Sequence, residues 1–336
     1  MNTNYFDQVL IGDCRSMLQS LPDGIVDTCV TSPPYYGLRD YGTGEWVGGE
    51  PNCPHRRTSK FSVKTITGHA QKELAGNVGD AIYKTICPLC GARRVDKQIG
   101  LEETPEEYIE ELVQVFREVK RVLKDDGTLW VNIGDSYNFD KNLIGIPWML
   151  AFALRSDGWY LRQDIIWHKP NPMPESVTDR CTKSHEYIFL FSKKPKYYFD
   201  HEAIQEEAKA EYEGRYKYEF MTGKQQEHFR PDGAVNTMGI KEYTGMRNKR
   251  DVWSVTTKPC KESHFAVFPE DLIEPCILAG CPVGGLVLDP FFGSGTTGRV
   301  AIKLNRHYIG IELNPEYVKI SDKRTNNIQM TMVGLV

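Results

Sequence analysis

Apolar residues recur with two different spacings along the chain, and the spacing changes from segment to segment. Short β-branched runs such as 25–30 and 286–289 are typical of buried strands, and the segments between such runs carry apolar residues at helical spacing. Strands and helices alternate in this way over residues 1–36, 101–196 and 259–336. This alternation predicts a layered α/β sheet.

The same pattern predicts the bounds of most elements. One helix is expected to start at a capping box, in which Thr104, Pro105 and Glu107 carry the signals, and to end at the Asp-Gly pair 126–127. Further helices are predicted at 14–21, 146–156, 269–278 and 296–304. Strands are predicted at 8–11, 25–30, 128–133, 160–167, 186–191, 286–289 and 308–313.

Residues 37–100 lose this periodicity and form a polar insertion that holds Cys53, His55, Cys87 and Cys90. At the spacing of the Cys-x-x-Cys pair two thiolates bind one zinc ion, and the Cys-x-His pair would complete a tetrahedral structural site. Free cysteines in a turn are the alternative. A redox pair is disfavoured, because no thioredoxin-like βαβ pattern surrounds it.

A second polar stretch, residues 197–258, is rich in aromatic residues and becomes basic towards its end. Across 241–261, six basic residues stand against two acidic ones, which is enough local charge to contact phosphates or guanines. We interpret the stretch as a target-recognition region in which Arg247, Lys249 and Arg250 bind DNA. A solvated loop with packed aromatic residues is the alternative interpretation.

A glycine-rich turn follows the predicted strand 286–289 and opens a helix. It reads Asp-Pro-Phe-Phe-Gly-Ser-Gly-Thr over residues 289–296 and is called the glycine turn below. Glycines let a ligand approach the backbone at a helix N-terminus, and the acidic start suits a cationic ligand such as a sulfonium amino acid. Glu312, at the end of the next strand, is placed to bind ribose hydroxyls. An NAD site and a purely structural turn stay open as alternatives.

The second candidate site consists of Ser32, Pro33, Pro34 and Tyr35, called the proline turn below, which follows the predicted strand 25–30. Prolines donate no backbone hydrogen bond, so we expect their carbonyls to face outward and to form a rigid set of acceptors with Ser32 Oγ. Tyr35 adds a flat stacking surface. These features suit an exocyclic amine on a planar base, although the motif alone also fits a turn with a packed tyrosine.

Together, the two turns resemble the catalytic and cofactor motifs of the S-adenosylmethionine-dependent DNA amino-methyltransferases, which methylate cytosine N4 or adenine N6. The catalytic motif comes first along the chain, which resembles the beta arrangement of that family. Further similarity extends over most of the sequence. The matching segments are 12–13, 167–171, 184–187, 264–269 and 309–313.

This resemblance implies a Rossmann-like methyltransferase fold, with a mixed, mostly parallel seven-stranded sheet flanked by helices. It gives the proline turn the catalytic role, and Lys169 is assigned to DNA. The implied cofactor-binding residues are Asp13, Phe265, Asp289, Phe291, Gly293, Ser294, Gly295, Thr296 and Glu312. The catalytic domain then comprises 1–36, 101–196 and 259–336, with the insertion at 37–100 and the recognition region at 197–258.

The implied reaction moves a methyl group from S-adenosyl-L-methionine to the exocyclic amine of a base flipped out of double-stranded DNA. Serine at position 32, in place of Asp or Asn, favours cytosine N4, with adenine N6 as the alternative. A cytosine C5 enzyme is disfavoured, because Cys260 and Cys276 follow prolines without the other features of that family. An inactive methyltransferase-like DNA-binding module is the alternative from a different class, and both intact turns argue against it.

Composition changes this picture little. The 336 residues include 41 Lys and Arg against 45 Asp and Glu, a formal charge of −4, which argues against a protein coated in base but not against a local basic groove. Nine cysteines, an odd number spread thinly, fit a reducing cytoplasm, and no apolar run is long enough to span a membrane. A homodimer and a cognate restriction endonuclease are left open as partners.

Overall fold

The computed structural model describes residues 5–38, 41–55, 57–59, 81–83, 86–138, 140–208, 245–257, 268–326 and 328. The chain divides into two units, one formed by Met1–Phe199 with Asp251–Val336 and the other by Asp200–Arg250. No helix within the described ranges is both long enough and apolar enough to cross a membrane.

Fourteen strands lie in the described part of the chain. They are β1 (Gln8–Ile11), β2 (Val26–Thr31), β3 (Glu45–Val47), β4 (Arg57–Ser59), β5 (Ala81–Tyr83), β6 (Arg93–Val95), β7 (Leu123–Ile133), β8 (Tyr160–His168), β9 (His185–Ser192), β10 (Glu206–Glu207), β11 (Met246–Arg247), β12 (Val252–Ser254), β13 (Leu286–Asp289) and β14 (His307–Glu312).

Six α-helices are described as well, together with a short 3-10 helix. The α-helices are α1 (Cys14–Gln19), α2 (Pro105–Val122), α3 (Ile146–Ser156), α4 (Glu270–Gly280), α5 (Thr296–Lys303) and α6 (Pro315–Asn326), and the 3-10 helix is Glu202–Ile204. Helix α2 packs against α1 and α3, and helix α5 packs against α4 and α6.

The central sheet has eight strands in the order β1-β14-β13-β2-β7-β9-β8-β12. The pairs from β1 to β7 are all parallel, β9 is antiparallel to both of its neighbours, and β12 is parallel to β8. The predicted α/β fold with a mostly parallel sheet is therefore confirmed, and short β12 adds an eighth strand. Because β1, β14, β13 and β2 run in one direction, their carboxyl ends meet at one edge of the sheet.

Helix α2 shows how the apolar pattern builds the core. Its capping box forms, since Thr104 Oγ1 accepts from the Glu107 N–H and the Glu107 carboxylate accepts from the Thr104 N–H. Seven residues on its apolar stripe are buried: Tyr108, Ile109, Leu112, Val115, Phe116, Val119 and Val122. Each such side chain contributes about 1.5–3 kcal/mol when fully buried, so the stripe holds the helix against the rest of the core.

The predicted end of this helix at residues 126–127 was wrong. The helix ends at Val122, and Leu123 already has an extended backbone and pairs with Val26 of β2. The pairing between β2 and β7 then shifts register before Thr128, as it does at a β-bulge. The Asp-Gly pair therefore lies within β7, beside this irregularity. Full burial of Leu123 explains why the strand begins so early.

Strand β12 of the central sheet and helix α6 were not predicted. Strand β12 has only three residues and lies in a polar stretch of sequence, so the pattern of apolar residues does not indicate that Trp253 is buried. Helix α6 has low mean hydropathy and a weak apolar stripe. Its start signal was nevertheless present, because Asn314 Oδ1 accepts from the Glu316 N–H and Pro315 occupies the first helical position.

Candidate active site

A cleft of about 540 Å³ opens at the edge where the parallel strands end. The proline turn, which follows β2, and the glycine turn, which follows β13, both line this cleft. Asp13 lines it from the end of β1, and Glu312 lines it from the end of β14. The fold therefore brings together two motifs that are more than 250 residues apart, as a single Thr31–Asp289 hydrogen bond shows.

The backbone of the glycine turn requires glycine at two positions. Gly293 and Gly295 have φ angles of 52° and 82°, in the left-handed region that favours glycine. A Cβ atom on Gly295 would also lie 2.7 Å from Cβ of Ser321 in α6. Gly295 thus faces α6, whereas Gly293, Ser294 and Thr296 line the cleft as predicted for the cofactor site.

Glu312 is tied to the glycine turn by its carboxylate. One oxygen accepts from the Gly293 N–H at 2.7 Å, and the other accepts from the Asn314 N–H at 2.8 Å. Burial raises the pKa of Glu312, and the backbone hydrogen bonds offset part of that rise. A carboxylate has about four acceptor positions, so each oxygen keeps one for a ligand hydroxyl.

Asp289 is the most enclosed acid of the site. Its oxygens accept from the hydroxyls of Thr31 and Thr297, at 2.6 and 2.7 Å, and from the Phe291 N–H at 3.0 Å. Burial raises its pKa from 3.8 to about 6. Asp289 therefore joins β2, β13 and α5 while it borders the cleft together with Phe291.

Asp13 combines a structural and an electrostatic role. Its side chain caps α1 by accepting from the Ser16 N–H, and it pairs with Arg15 at 2.7 Å. Burial alone would raise the pKa of Asp13, but the hydrogen bonds and charge of Arg15 outweigh it and hold that pKa below its ordinary value. Arg15 also pairs with Glu111 of α2. Asp13 is thus ionised and held in place just after the end of β1, where it lines the cleft.

The proline turn only partly agrees with its prediction. The Pro34 carbonyl does not face outward but accepts a hydrogen bond from the Tyr108 hydroxyl at 2.8 Å, so for Pro34 the prediction was wrong. Tyr108 is fully buried in α2, and its hydroxyl would otherwise lack a partner in the core. Ser32 and Pro33 remain as the predicted acceptors, and both line the cleft.

Tyr35 is held by its hydroxyl within a polar cluster. The hydroxyl donates to Glu186 at 2.5 Å and approaches Asn132 Oδ1 at 3.4 Å. Asn132 donates to the same Glu186 oxygen at 3.3 Å. Burial raises the pKa of the Tyr35 phenol well above its ordinary value, and the nearby Glu186 carboxylate adds to the rise. Tyr35 thus stays neutral, with its ring direction set by β7 and β9.

Lys169, predicted as a DNA contact, belongs to this same cluster. Its ammonium group pairs with Glu186 and lies 4.4 Å from the centre of the Trp167 ring. Tyr35, Asn132, Lys169 and Glu186 are called the Glu186 cluster below, and all of them line the cleft. Sequence reasoning did not identify Asn132, because nothing near it in the chain distinguishes it from other strand residues.

Comparison with known proteins decides the family. A family model described as DNA methylase, for N6 and N4 methyltransferases, matches residues 26–323. The chain belongs to the N6/N4 DNA methylase family. The expected resemblance is thereby confirmed, and the chain is a DNA methyltransferase of the N4/N6 class.

Individual methylases agree with this assignment. Type II methyltransferase M.Cfr9I of Citrobacter freundii is 41% identical over 341 residues, which cover 93% of this chain and 85% of the relative. The structure of PvuII DNA methyltransferase (cytosine-N4-specific) matches with a TM-score of 0.60 and 19% identity, covering 96% and 88% of the two chains. A candidate DNA modification methylase of Thermus thermophilus, complexed with S-adenosyl-L-methionine, matches with a TM-score of 0.52 and 22% identity, covering 97% and 99%.

The methylase cleft has a further wall that the sequence did not indicate. The insertion contributes residues from both of its ends, and α6 contributes Tyr317. The insertion residues of this wall are Tyr41, Thr43, Lys97, Gln98 and Ile99. Leu38 completes the boundary from just after the proline turn. The predicted cofactor residue Phe265 lies outside the described residues.

The four predicted metal ligands of the methylase come together. The ligand atoms of Cys53, His55, Cys87 and Cys90 all lie within 4.8 Å of one another. The sulfurs of Cys53 and Cys87 are 3.7 Å apart, and Cys90 Sγ is 3.8 Å from His55 Nδ1. A tetrahedral zinc ion with Zn–S bonds of about 2.3 Å separates two sulfurs by about 3.8 Å, so the arrangement fits that ion.

The predicted DNA contacts Arg247 and Arg250 lie in the unit Asp200–Arg250 with Lys249. Both arginines donate to the same oxygen of Glu206, at 3.0 and 2.9 Å. Burial opposes ionisation of Glu206, but the arginines outweigh it and lower its pKa. Strands β10 and β11 pair Glu206 with Arg247, so this two-stranded sheet holds Glu206 beside the basic residues.

Proposed function

We propose that this methylase transfers a methyl group from S-adenosyl-L-methionine to N4 of a cytosine in double-stranded DNA. The observation that carries the proposal is the shared cleft, which is lined by the proline turn on one side and the glycine turn on the other. The Thr31–Asp289 hydrogen bond of 2.6 Å joins the two sides directly. A methyl donor and an amine acceptor bound to these turns would therefore meet in one cavity.

Glu312, Asp13 and the glycine turn are the residues we assign to the cofactor. When bound, S-adenosyl-L-methionine supplies an electrophilic methyl group on a sulfonium cation. Glu312 keeps acceptor positions for two hydroxyl groups, and the buried Asp289 raises the affinity of the cleft for a cation, because a desolvated carboxylate gains from a positive charge nearby. Gly293 leaves space for a ligand against the backbone.

Ser32 and Pro33 are the residues we assign to the target amine. The lone pair of an exocyclic amine is delocalised into the ring, so the amine is a weak nucleophile. Ser32 Oγ and the Pro33 carbonyl accept hydrogen bonds from its N–H groups and localise that lone pair towards the methyl donor. As the N–C bond forms, the methyl–sulfur bond breaks, S-adenosyl-L-homocysteine is left as the second product, and one amine proton is released to water. Positioning of this kind supplies much of the rate enhancement, since two reactants are held in one geometry.

The Glu186 cluster supports the proposed position of the target base. Tyr35 offers its ring to a planar base, and Glu186 holds the ring by its hydroxyl. A base reaches this depth only after it leaves the DNA stack, so the proposal includes base flipping. Serine at position 32 favours cytosine over adenine, and adenine N6 methylation is the competing assignment.

The basic residues Arg247, Lys249 and Arg250 are the proposed contacts to DNA outside the cleft. Their charge is shared with Glu206, so phosphate or guanine would compete with that carboxylate. M.Cfr9I bears the name of a Type II methyltransferase. We accordingly place this methylase in a restriction–modification system, as the modifying partner of an endonuclease.

Mass spectrometry of nucleosides tests the assignment. The purified chain is incubated with unmethylated genomic DNA and S-adenosyl-L-methionine that carries a deuterated methyl group, and the DNA is digested to nucleosides. Deuterated N4-methylcytosine is the expected product, and a reaction without enzyme is the control. Deuterated N6-methyladenine would contradict the choice of base, and absence of both products would contradict the proposed activity.

A further inference from the structure

We propose that Cys53, His55, Cys87 and Cys90 bind one structural zinc ion, and that this ion fixes the insertion wall of the cofactor cleft. The wall consists of Tyr41, Thr43, Lys97, Gln98 and Ile99. The second half of this inference rests on the proposed function, because it takes the cleft to be the cofactor site.

The cluster has the composition and the closure of a structural zinc site. Three thiols and one imidazole are a common ligand set for tetrahedral zinc, and four protein ligands leave no coordination position for a substrate. The two distances within the cluster, 3.7 and 3.8 Å, match the edges of a zinc tetrahedron. Cys87 is 2% exposed, so this ligand is shielded from solvent, as expected for a closed structural site.

The backbone around the cluster is shaped to bring the ligands together. The Gly91 N–H donates to the Cys87 carbonyl at 2.9 Å, which closes the turn between the two cysteines, and Gly91 has a φ of 72°. Gly49 approaches from the other side, where a Cβ atom would lie 2.8 Å from Cys90 Sγ. The Trp46 ring stacks on His55 with a centroid distance of 4.3 Å.

Strands β3 and β6 connect the cluster to the cleft. They pair antiparallel, with Glu45 opposite Val95 and Val47 opposite Arg93. The chain enters β3 from the cleft and leads to Cys53, and it returns from Cys90 through β6 to the cleft. A two-stranded hairpin is marginally stable by itself, so a cross-link at the far end stabilises the end that borders the cleft.

Side chains near the cleft continue this connection between the two strands. Thr43 Oγ1 donates to Asp96 at 2.8 Å, and the Tyr41 N–H donates to the Gln98 side-chain oxygen at 2.8 Å. Asp96 also pairs with Arg94 at 2.6 Å, and both of these side chains are nearly buried. The β3–β6 pairing and these side-chain hydrogen bonds lead from the zinc cluster to the wall. Ordering of the cluster should therefore also order the wall residues.

The wall meets the parallel strand ends where the cofactor residues lie. Asn314, two residues after Glu312, donates from its side chain to the Tyr41 carbonyl at 3.4 Å. The Tyr41 ring meets Tyr317 of α6 edge-on, with 6.2 Å between centroids. The Gly37 N–H donates to the Gly100 carbonyl at 2.7 Å, which joins the two ends of the insertion just after the proline turn.

Metal analysis and ligand binding on the full-length chain test both halves. The protein is purified without chelator, its zinc is measured by mass spectrometry, and its affinity for S-adenosyl-L-homocysteine is measured by calorimetry. We expect about one zinc per chain. Cys90→Ser should lose the zinc and bind S-adenosyl-L-homocysteine about tenfold more weakly. Without zinc, part of the binding free energy is used to order the wall. Cys181→Ser, at an exposed cysteine outside the cluster, is the matched control and should change neither quantity.

Two further arms keep the test decisive if Cys90→Ser does not fold. Zinc is removed from the wild-type chain with a chelator and then added back, and affinity should fall and recover with it. Thr43→Val should retain zinc and still weaken binding, since it removes the Thr43–Asp96 hydrogen bond within the wall but leaves the four zinc ligands in place.

The outcomes separate the two claims. Absence of stoichiometric zinc would overturn the metal site, and zinc loss with unchanged affinity would overturn its effect on the wall. If the zinc-loaded wild-type chain bound no S-adenosyl-L-homocysteine, the proposed cofactor site itself would be contradicted, while the zinc content would still decide the metal site.

Discussion

The glycine turn and the proline turn lie at the same edge of one sheet, yet their polar groups find partners at very different distances along the chain. Hydrogen bonds that hold the glycine turn join residues 8, 19 and 30 positions apart. Those that hold the proline turn join residues 74, 97 and 151 positions apart. Apart from the hydrogen bond between Thr31 and Asp289, the first turn is therefore completed by the segment that contains it, and the second only by the assembled sheet.

This difference teaches that the two halves of the reaction depend on different parts of the fold. In the proposed cofactor site, the segment from β13 to α6 holds Glu312 against the glycine turn, whereas Asp13 and the insertion wall come from other parts of the chain. The proposed base pocket needs α2, β7, β8 and β9 in their final positions, because they supply Tyr108, Asn132, Lys169 and Glu186. Substitutions in one half should therefore leave the other intact. Two of the three predictions below test that separation, and the third tests Asp289, the buried acid that joins the two halves.

Ser32→Ala should have the largest effect. Loss of the hydroxyl acceptor should lower kcat for DNA methylation about 10³-fold, equivalent to roughly 4 kcal/mol, because the amine lone pair is no longer localised. The Kd for S-adenosyl-L-homocysteine should stay within about twofold of wild type. Transfer of tritiated methyl groups and calorimetry measure the two quantities, with Ser20→Ala as the control. A parallel loss of cofactor affinity would show that the turns are not separable.

Asp289→Asn should change the pH dependence of stability. The folded pKa of about 6 lies above the ordinary value of 3.8, so the folded protein holds this proton more tightly than the unfolded chain. Wild-type stability should therefore fall relative to the variant as pH rises from about 4 to about 6, by roughly 3 kcal/mol, and the loss should persist above that window. Denaturant unfolding at a series of pH values measures the difference. A difference that is constant with pH would contradict the raised pKa.

Glu186→Gln should have the smallest effect of the three. The neutral amide leaves Lys169 without its ion pair and weakens the hold on Tyr35, so kcat should fall about 30-fold, roughly 2 kcal/mol, with cofactor affinity unchanged. Glu175→Gln is the matched control, because Glu175 pairs with Arg180 outside the cleft. Equal losses in the two variants would indicate a general effect on folding, not on the base pocket.

The same contrast explains what the sequence could predict. Strong periodicity predicted seven of the eight strands of the central sheet and five of the six described α-helices. The link between the glycine turn and Glu312 was predictable because the two are close along the chain. Asn132 and the inward Pro34 carbonyl were not, since their partners become neighbours only through the sheet. The insertion wall was missed for a related reason, because Tyr41 and Gln98 meet across 57 residues of polar sequence.

The hydrogen bond between Thr31 and Asp289 shows that the register of β2 and β13 determines how the proline turn and the glycine turn lie relative to each other. Strands β2 and β13 pair Thr28 with Val287 and Cys29 with Leu288, so both chains leave the sheet at one level. A slip of one residue would displace one turn by about 3.3 Å and turn its side chains to the opposite face. The pairing of β2 with β13 therefore sets the distance between the two turns, and with it the distance between the proposed methyl donor and the target amine. Segments elsewhere in the chain can change without altering this spacing, because it depends on the pairing of β2 with β13.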